Sequence, residues 1–308
     1  MRTTLSRHGR LLASIAAAGL LLVGCGTGPS QVGAAAIVGD TKIPVSQVKS
    51  WFTEVLDKEP RLRSQLEERD GLDDLGRALA GQLVRQELIA EVAEREHLSV
   101  DERQVDAMID RWGGPRATEG EVFTPGNVRE FARGEALVTE LGRRYFDGLS
   151  VTFDYTQATS RSSAQRKAEE MARGGAAATE LIERDTAAGT PAGTGQRLRA
   201  ADSPKLAAAT PLFGAEPGTV LAFEPERNAG QWLIVRIQER VAEPSPRAGA
   251  ADDATLHGLG SQLLGLTADR VGVRLSPRYG AWDPIGLTAA PSEGETTGFR
   301  LTAPSSES

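Results

Sequence analysis

The sequence predicts a mainly α fold with a small α+β unit in its middle. Apolar residues recur at helical spacing between Val45 and Tyr145, switch to alternation at Val151, Phe153 and Tyr155, and return to helical spacing at Leu256, Leu259, Leu263 and Leu264. A chain of 308 residues is long enough to bury one or two apolar cores.

The elements follow in order. Ala36-Ile37-Val38-Gly39-Asp40-Thr41-Lys42-Ile43-Pro44 reads as a hairpin with Gly39-Asp40 in the turn. Val45, Val48, Trp51, Phe52, Val55 and Leu56 make a helical stripe, and Leu75, Leu79, Leu83, Leu88, Ile89 and Val92 a longer one ending near Arg95 and His97. Ser99 and Glu102 have capping-box spacing ahead of Val105, Met108 and Ile109. Gly113-Gly114-Pro115 then breaks the helix, and a mobile acidic loop is expected up to Thr124-Pro125, an N-cap with proline in the first helical position. The next buried stripe is Val128, Phe131, Leu137, Leu141 and Tyr145.

Residues 36–148 therefore read as one helical unit and 149–243 as an α/β unit. The latter has a strand at Val151–Tyr155, a helix over Ala164–Arg173 closed by Gly174-Gly175, and strands at Val220–Phe223 and Gln231–Val241. The Ala-, Gly- and Thr-rich stretch 174–204 predicts loops with one helix near Glu180–Asp185, and a short helix is expected at Pro204–Ala209. Residues 244–287 hold a Pro-Ser linker, one amphipathic helix and a strand from Gly272 to Leu275. The polar tail 288–308 has the composition of a disordered segment.

Residues 1–25 have a different grammar. Arg2, Arg7 and Arg10 precede an uncharged run from Leu11 to Gly24, as in an export signal. The run is shorter than the about 20 apolar residues of a membrane span. Leu22-Val23-Gly24-Cys25 closes it with the only cysteine of the chain. This segment resembles a bacterial lipoprotein signal. The resemblance implies lipidation of Cys25 (palmitate among the acyl chains) and an extracytoplasmic protein anchored to the cell membrane. An ordinary signal cleaved nearby, or an inert buried cysteine, is the plainer alternative. Residues 26–35 read as a flexible leader.

Removing the signal leaves 32 basic against 42 acidic residues, a net charge of −10. That balance, with no basic stripe, argues against nucleic acid as a partner. Once Cys25 is acylated no thiol is left for disulfides, metal or nucleophilic catalysis. No GxxxxGK[ST] or GxSxG motif is present. His97 and His257 lie in separate helical segments, His97 as a helix-end cation and His257 on a helix surface. The acidic group Glu67, Glu68, Asp70, Asp73 and Asp74 reads as a solvated face, and Ser162, Ser163 and Thr194 have no neighbouring base. The sequence therefore assigns no catalytic, cofactor-binding or metal residue. Trp51, Phe52, Leu56, Phe131 and Tyr145 could line a binding cleft or form the helical core, and their spacing favours the core.

Three segments carry a further resemblance: Ala36–Ile43, Leu83-Val84-Arg85-Gln86-Glu87-Leu88-Ile89, and Glu94–Ile109. Their order and spacing are similar to the N-terminal domain of the SurA/PrsA extracytoplasmic chaperones. Ser276-Pro277-Arg278-Tyr279-Gly280-Ala281-Trp282-Asp283 resembles a C-terminal signature of actinobacterial lipoproteins of this kind. The resemblance implies a discontinuous helical domain around a parvulin-like insert, separable from the helical remainder. It also implies unfolded or newly exported proteins as partners and binding without ATP. In the parvulin pattern, Tyr155-Thr156-Gln157-Ala158 stands where H-I-L-x is expected and Gly230–Val235 where G-x-H-I-I-x-V is expected. Shifting the second by one residue still leaves no histidine, and residues 149–243 contain none. The insert is therefore expected to be degenerate and inactive as an isomerase. The alternatives are an envelope interaction protein with one fixed partner, and a weak peptidyl-prolyl isomerase.

Overall fold

The structure is a computed structural model that describes residues 32–226, 229–245 and 251–302. It opens with a hairpin of β1 (Ala34–Val38) and β2 (Thr41–Pro44). Gly39 turns it with φ of +57°, a conformation that favours glycine. The strand begins at Ala34, inside the stretch expected to be a flexible leader, because Ala34 and Ala35 are buried. Helices α1 (Val45–Lys58), α2 (Pro60–Glu67), α3 (Leu72–Glu96), α4 (Glu102–Arg111) and α5 (Val128–Tyr145) follow. Trp51, Val55, Leu79, Val84, Leu88 and Phe131 form the core shared by α1, α3 and α5, while Val105 and Met108 pack α4 on Ala132 and Ala136 of α5.

Local details depart from the sequence reading. The cap of α4 is Asp101, which accepts from Gln104 N while Gln104 Oε1 accepts from Asp101 N. A start at Glu102 places Val105 and Met108 on the buried face. Thr124 and Pro125 form a turn before α5 rather than its first residues, with Val128 N donating to Thr124 O at 2.9 Å. The acidic loop ahead of that turn is anchored. Lys58 Nζ donates to the carbonyls of Thr118, Glu121 and Phe123, and Phe123 stacks on Trp112 with centroids 4.7 Å apart.

The middle of the chain supplies β3 (Leu149–Ala158), α6 (Arg161–Met171), α7 (Gly175–Ala187), β4 (Ala192–Arg199), α8 (Pro204–Ala209), β5 (Thr219–Phe223) and β6 (Trp232–Ala242). Residues 174–204 are thus largely regular. Ala178, Leu181 and Ile182 bury α7 against the sheet, where small side chains permit close packing. Helix α9 (Asp253–Val271) then returns to α5. A Cβ on Gly142 would stand 1.9 Å from Leu256 O, and one on Gly260 1.9 Å from Val138 O. Only glycine admits that backbone approach.

After α9, β7 (Val273–Leu275) pairs with β1, giving the sheet order β2–β1–β7. Strands β8 (Ala281–Asp283) and β9 (Thr288–Ala290) form a hairpin, and β10 (Gly298–Thr302) pairs with β5. The large antiparallel sheet has the order β10–β5–β6–β3–β4. Residues 288–302 are therefore structured, against the disorder their composition predicts; residues 303–308 lie outside the described residues. Backbone pairing to the β5 edge and packing of Phe299 and Leu301 offset the polar content.

One face of the sheet packs on α6 and α7. The other shares a core with the helical unit: Leu149, Val151, Phe213, Val235 and Ile237 meet Val138, Leu141, Leu256, Leu259 and Leu263. Residues of the middle unit and of the helical unit thus share one core; whether 150–243 can be excised without unfolding the helical remainder is a matter for experiment.

Candidate functional site

A groove of about 610 Å³ opens in the helical unit between β2, α1, α3 and α5. Packing of α1 against α5 brings Trp51 and Phe131 together at its floor, their rings 4.8 Å apart. Trp51 Nε1 donates to Val122 O at 2.8 Å, which fixes the indole. The rim carries both signs of charge, Lys42 and Arg133 against Glu54, Glu87 and Glu130. Strand β2 forms one wall and is an edge strand, so its outer backbone groups are available for pairing. Gln86, deep in the groove, has a buried Nε2 with no partner among the described residues. Gly134 makes room for it, since a Cβ there would stand 2.5 Å from Gln86 Oε1.

The five aromatic and apolar residues considered for a cleft divide. Trp51, Leu56 and Phe131 are core residues, and of these Trp51 and Phe131 also reach the groove floor. Phe52 is half-buried beside a depression of about 270 Å³ lined with Leu72, Gly76 and Tyr279. Tyr145 belongs elsewhere: its hydroxyl donates to Glu96 Oε2 at 2.6 Å. Burial, then that bond, pushes the phenol up to about 12. Gln86 lay unnoticed within the Leu83–Ile89 motif, since an amide on an apolar helix face is the only signal it gives.

His97 caps α3 in the left-handed conformation at φ of +50°. His257 is not a free surface residue. Its Nε2 lies 2.6 Å from Glu135 Oε2, and Arg85 clamps Glu135 with two bonds of 2.9 and 2.8 Å while reaching Ser261 Oγ at 2.9 Å. This cluster ties α3, α5 and α9 together. Burial opposes ionisation of Glu135, but bonds from Arg85 and His257 outweigh it and hold the carboxyl at about 2.

The remaining candidates lie outside the groove. Asp73 and Asp74 sit in the first turn of α3, where negative charge is favourable. Ser163 N donates to the capping hydroxyl of Ser160. The segments Tyr155–Ala158 and Trp232–Val235 are cross-strand neighbours, with Tyr155 opposite Val235 and Ala158 opposite Trp232. Tyr155 packs toward the shared core, whereas Trp232 packs on the α6–α7 side. The two side chains therefore do not meet. Cys25 lies outside the described residues. Among those residues, no group of three or more His, Cys, Asp or Glu is placed to hold a metal, and no helix is long and apolar enough to cross a membrane.

Residues 4–114 match the family model of the SurA-like N-terminal domain. The match is to a chaperone-type domain and supports kinship with the SurA/PrsA-like chaperones over that part of the chain. It takes in β2, α1 and α3, which form three walls of the groove. No curated protein gives a match.

Proposed function

We propose that this chain is a lipid-anchored extracytoplasmic chaperone that holds unfolded, newly exported polypeptide without ATP. The groove between β2, α1, α3 and α5 is its client site. The observation that carries this reading is the SurA-like match over 4–114, coincident with a groove suited to extended chain. Trp51 and Phe131 offer an apolar floor and the β2 edge offers backbone pairing. Lipid on Cys25 holds the groove at the membrane where exported chains emerge.

In this reading the returning α9 and β7 complete a discontinuous SurA-like domain, and 149–243 is a parvulin-like unit without isomerase activity. Supporting it, the opening strand β3 and closing strand β6 pair along their length, and the intervening chain carries helices α6 and α7. No histidine lies in the unit. Lowering a peptide rotation barrier of about 18–20 kcal/mol calls for placed polar groups, and Tyr155 and Trp232 face opposite sides of the sheet. Acceleration of proline-limited refolding by the protein would contradict this part.

A photo-crosslinking residue at Glu87 tests the groove. It is expected to capture a chemically denatured client, while the same group at Glu180 on α7 does not. No capture at Glu87, or equal capture at both, refutes the assignment. One observation favours a second reading, an interaction protein with one fixed envelope partner. Among the described residues, Val32 and Leu206 are the exposed large hydrophobics, so no broad apolar patch serves many clients. That reading predicts one co-purifying protein and indifference to denatured clients.

A further inference from the structure

The groove between β2, α1, α3 and α5 has a charge of its own. Each helical wall lines it with residues three or four positions apart, the spacing of one helix face. Each of those faces carries one carboxylate: Glu54 on α1, Glu87 on α3 and Glu130 on α5. Glu54 follows Trp51 by one turn and Glu130 adjoins Phe131, so two of the three stand beside the aromatic floor.

These carboxylates lack cationic partners among the described residues. Glu54 accepts from two neutral hydroxyls, Ser50 Oγ at 3.3 Å and Thr124 Oγ1 at 3.5 Å. Glu87 and Glu130 enter no ion pair among the described residues. The groove's two cations are already engaged. Arg133 donates to Glu102 Oε1 at 2.5 Å, and Glu102 and Asp106 also hold Arg129. Those two arginines and two acids balance one another. Lys42 Nζ donates to the carbonyl of Val32 at 2.5 Å, so its charge is the one left to offset three carboxylates.

An aromatic floor alone does not discriminate among apolar segments, because burial of apolar surface is non-directional. The carboxylates add a sign. Glu54 and Glu130 are exposed and Glu87 is half-buried, so the rim is open to a charged side chain that arrives with the client. Lysine and arginine lay their apolar stems along an apolar surface and keep the charged head in water, which suits a floor of rings under a rim of carboxylates. Charges at a rim act on encounter and on the rejection of wrong partners. The rest of the molecule acts in the same sense, since residues 26–308 carry 42 acidic against 32 basic residues, a field that draws basic chain inward.

We propose that the groove selects extended segments in which an apolar or aromatic residue is flanked by lysine or arginine. This selection rests on the groove being the client site and adds the class of client it prefers.

The test uses the full chain, labelled with 5-fluorotryptophan, in phosphatidylcholine nanodiscs, which carry no net charge. Three peptides share a Leu-Phe-Leu centre and differ in flanking pairs of lysine, glutamine or glutamate. Fluorine NMR reads Trp51 apart from Trp112, Trp232 and Trp282. At about 0.01 M salt the lysine peptide is expected to shift Trp51 saturably and to bind about tenfold tighter than the glutamine peptide, with the glutamate peptide weakest. At about 1 M salt, where the Debye length falls from about 30 to about 3 Å, the preference is expected to shrink to about twofold. Glu87→Gln combined with Glu130→Gln is expected to shrink it likewise. Glu180→Gln combined with Glu183→Gln removes the same charge from two exposed residues of α7 and is expected to keep the preference. The peptide series on the unaltered chain decides the matter even where a variant fails to fold. Equal binding of the lysine and glutamine peptides leaves the client groove standing and overturns its selection by charge. An equal loss of preference in both double variants overturns it too, since net charge alone would then explain the choice. A Trp51 signal that no peptide moves overturns the selection and the client groove together. One that moves with protein concentration alone seats a second copy in the groove and overturns the selection.

Discussion

Glu135→Gln perturbs the cluster that joins the returning helix to the rest of the helical unit. The wild-type carboxylate is 12 % exposed and Arg85 is 16 % exposed, so solvent screens the pair little. A carboxyl held at about 2 instead of its ordinary 4.5 contributes about 3 kcal/mol to stability at neutral pH. The sign follows from the lowered value: the contribution is present above pH 4.5 and is lost as pH falls toward 2. By the same linkage it falls to about 1 kcal/mol at pH 3. Glutamine keeps the shape but leaves the Arg85 guanidinium without a counter-charge, and breaking a buried pair from one side costs about 3–5 kcal/mol. Urea unfolding at pH 7 and pH 3 is the assay. The variant is expected to lose about 3 kcal/mol at pH 7, with the gap to wild type narrowing at pH 3. A loss below about 1 kcal/mol at pH 7, the scale of an exposed pair, or an equal gap at both pH values, refutes the account of this cluster.

Two further outcomes follow from the packing. Gly260→Ala sets a methyl group against Val138 O on α5 and is expected to destabilise by about 1–3 kcal/mol or more, read as a lower urea midpoint. An unchanged midpoint contradicts the close α5–α9 contact. Excision of 149–243 exposes Val138, Leu141, Leu256 and Leu263, which share a core with the sheet. The remainder is expected to bind a hydrophobic dye and melt without cooperativity, and a sharp thermal transition would show instead that the units are separable.

Much of the fold was legible because it depends on periodicity. The hairpin at Gly39-Asp40, the stripe from Val45 to Leu56 and the switch to alternation at Val151 are local patterns, and each became the expected element. What escaped the sequence depends on distant partners. Ser99-x-x-Glu102 and Asp101-x-x-Gln104 satisfy the same capping rule, and only the packing of Val105 and Met108 decides between them. The tail reads as polar by composition, yet Gly298–Thr302 finds a free sheet edge at β5. His257 looked exposed because its partner, Glu135, lies on another helix. The groove was legible only in part: Trp51 and Phe131 show as core residues, which they are, and nothing in the local spacing reveals that one edge of that core opens beside Gln86.

The most direct measurement is whether residues 26–308, without segment 1–25 and its Cys25, suppress aggregation of a chemically denatured client at near-stoichiometric amounts. Suppression is expected, persisting without ATP and weakening when the groove is blocked by a crosslinked peptide at Glu87. Indifference to the client, from a protein shown to be folded, would contradict the chaperone assignment and direct attention to a single envelope partner.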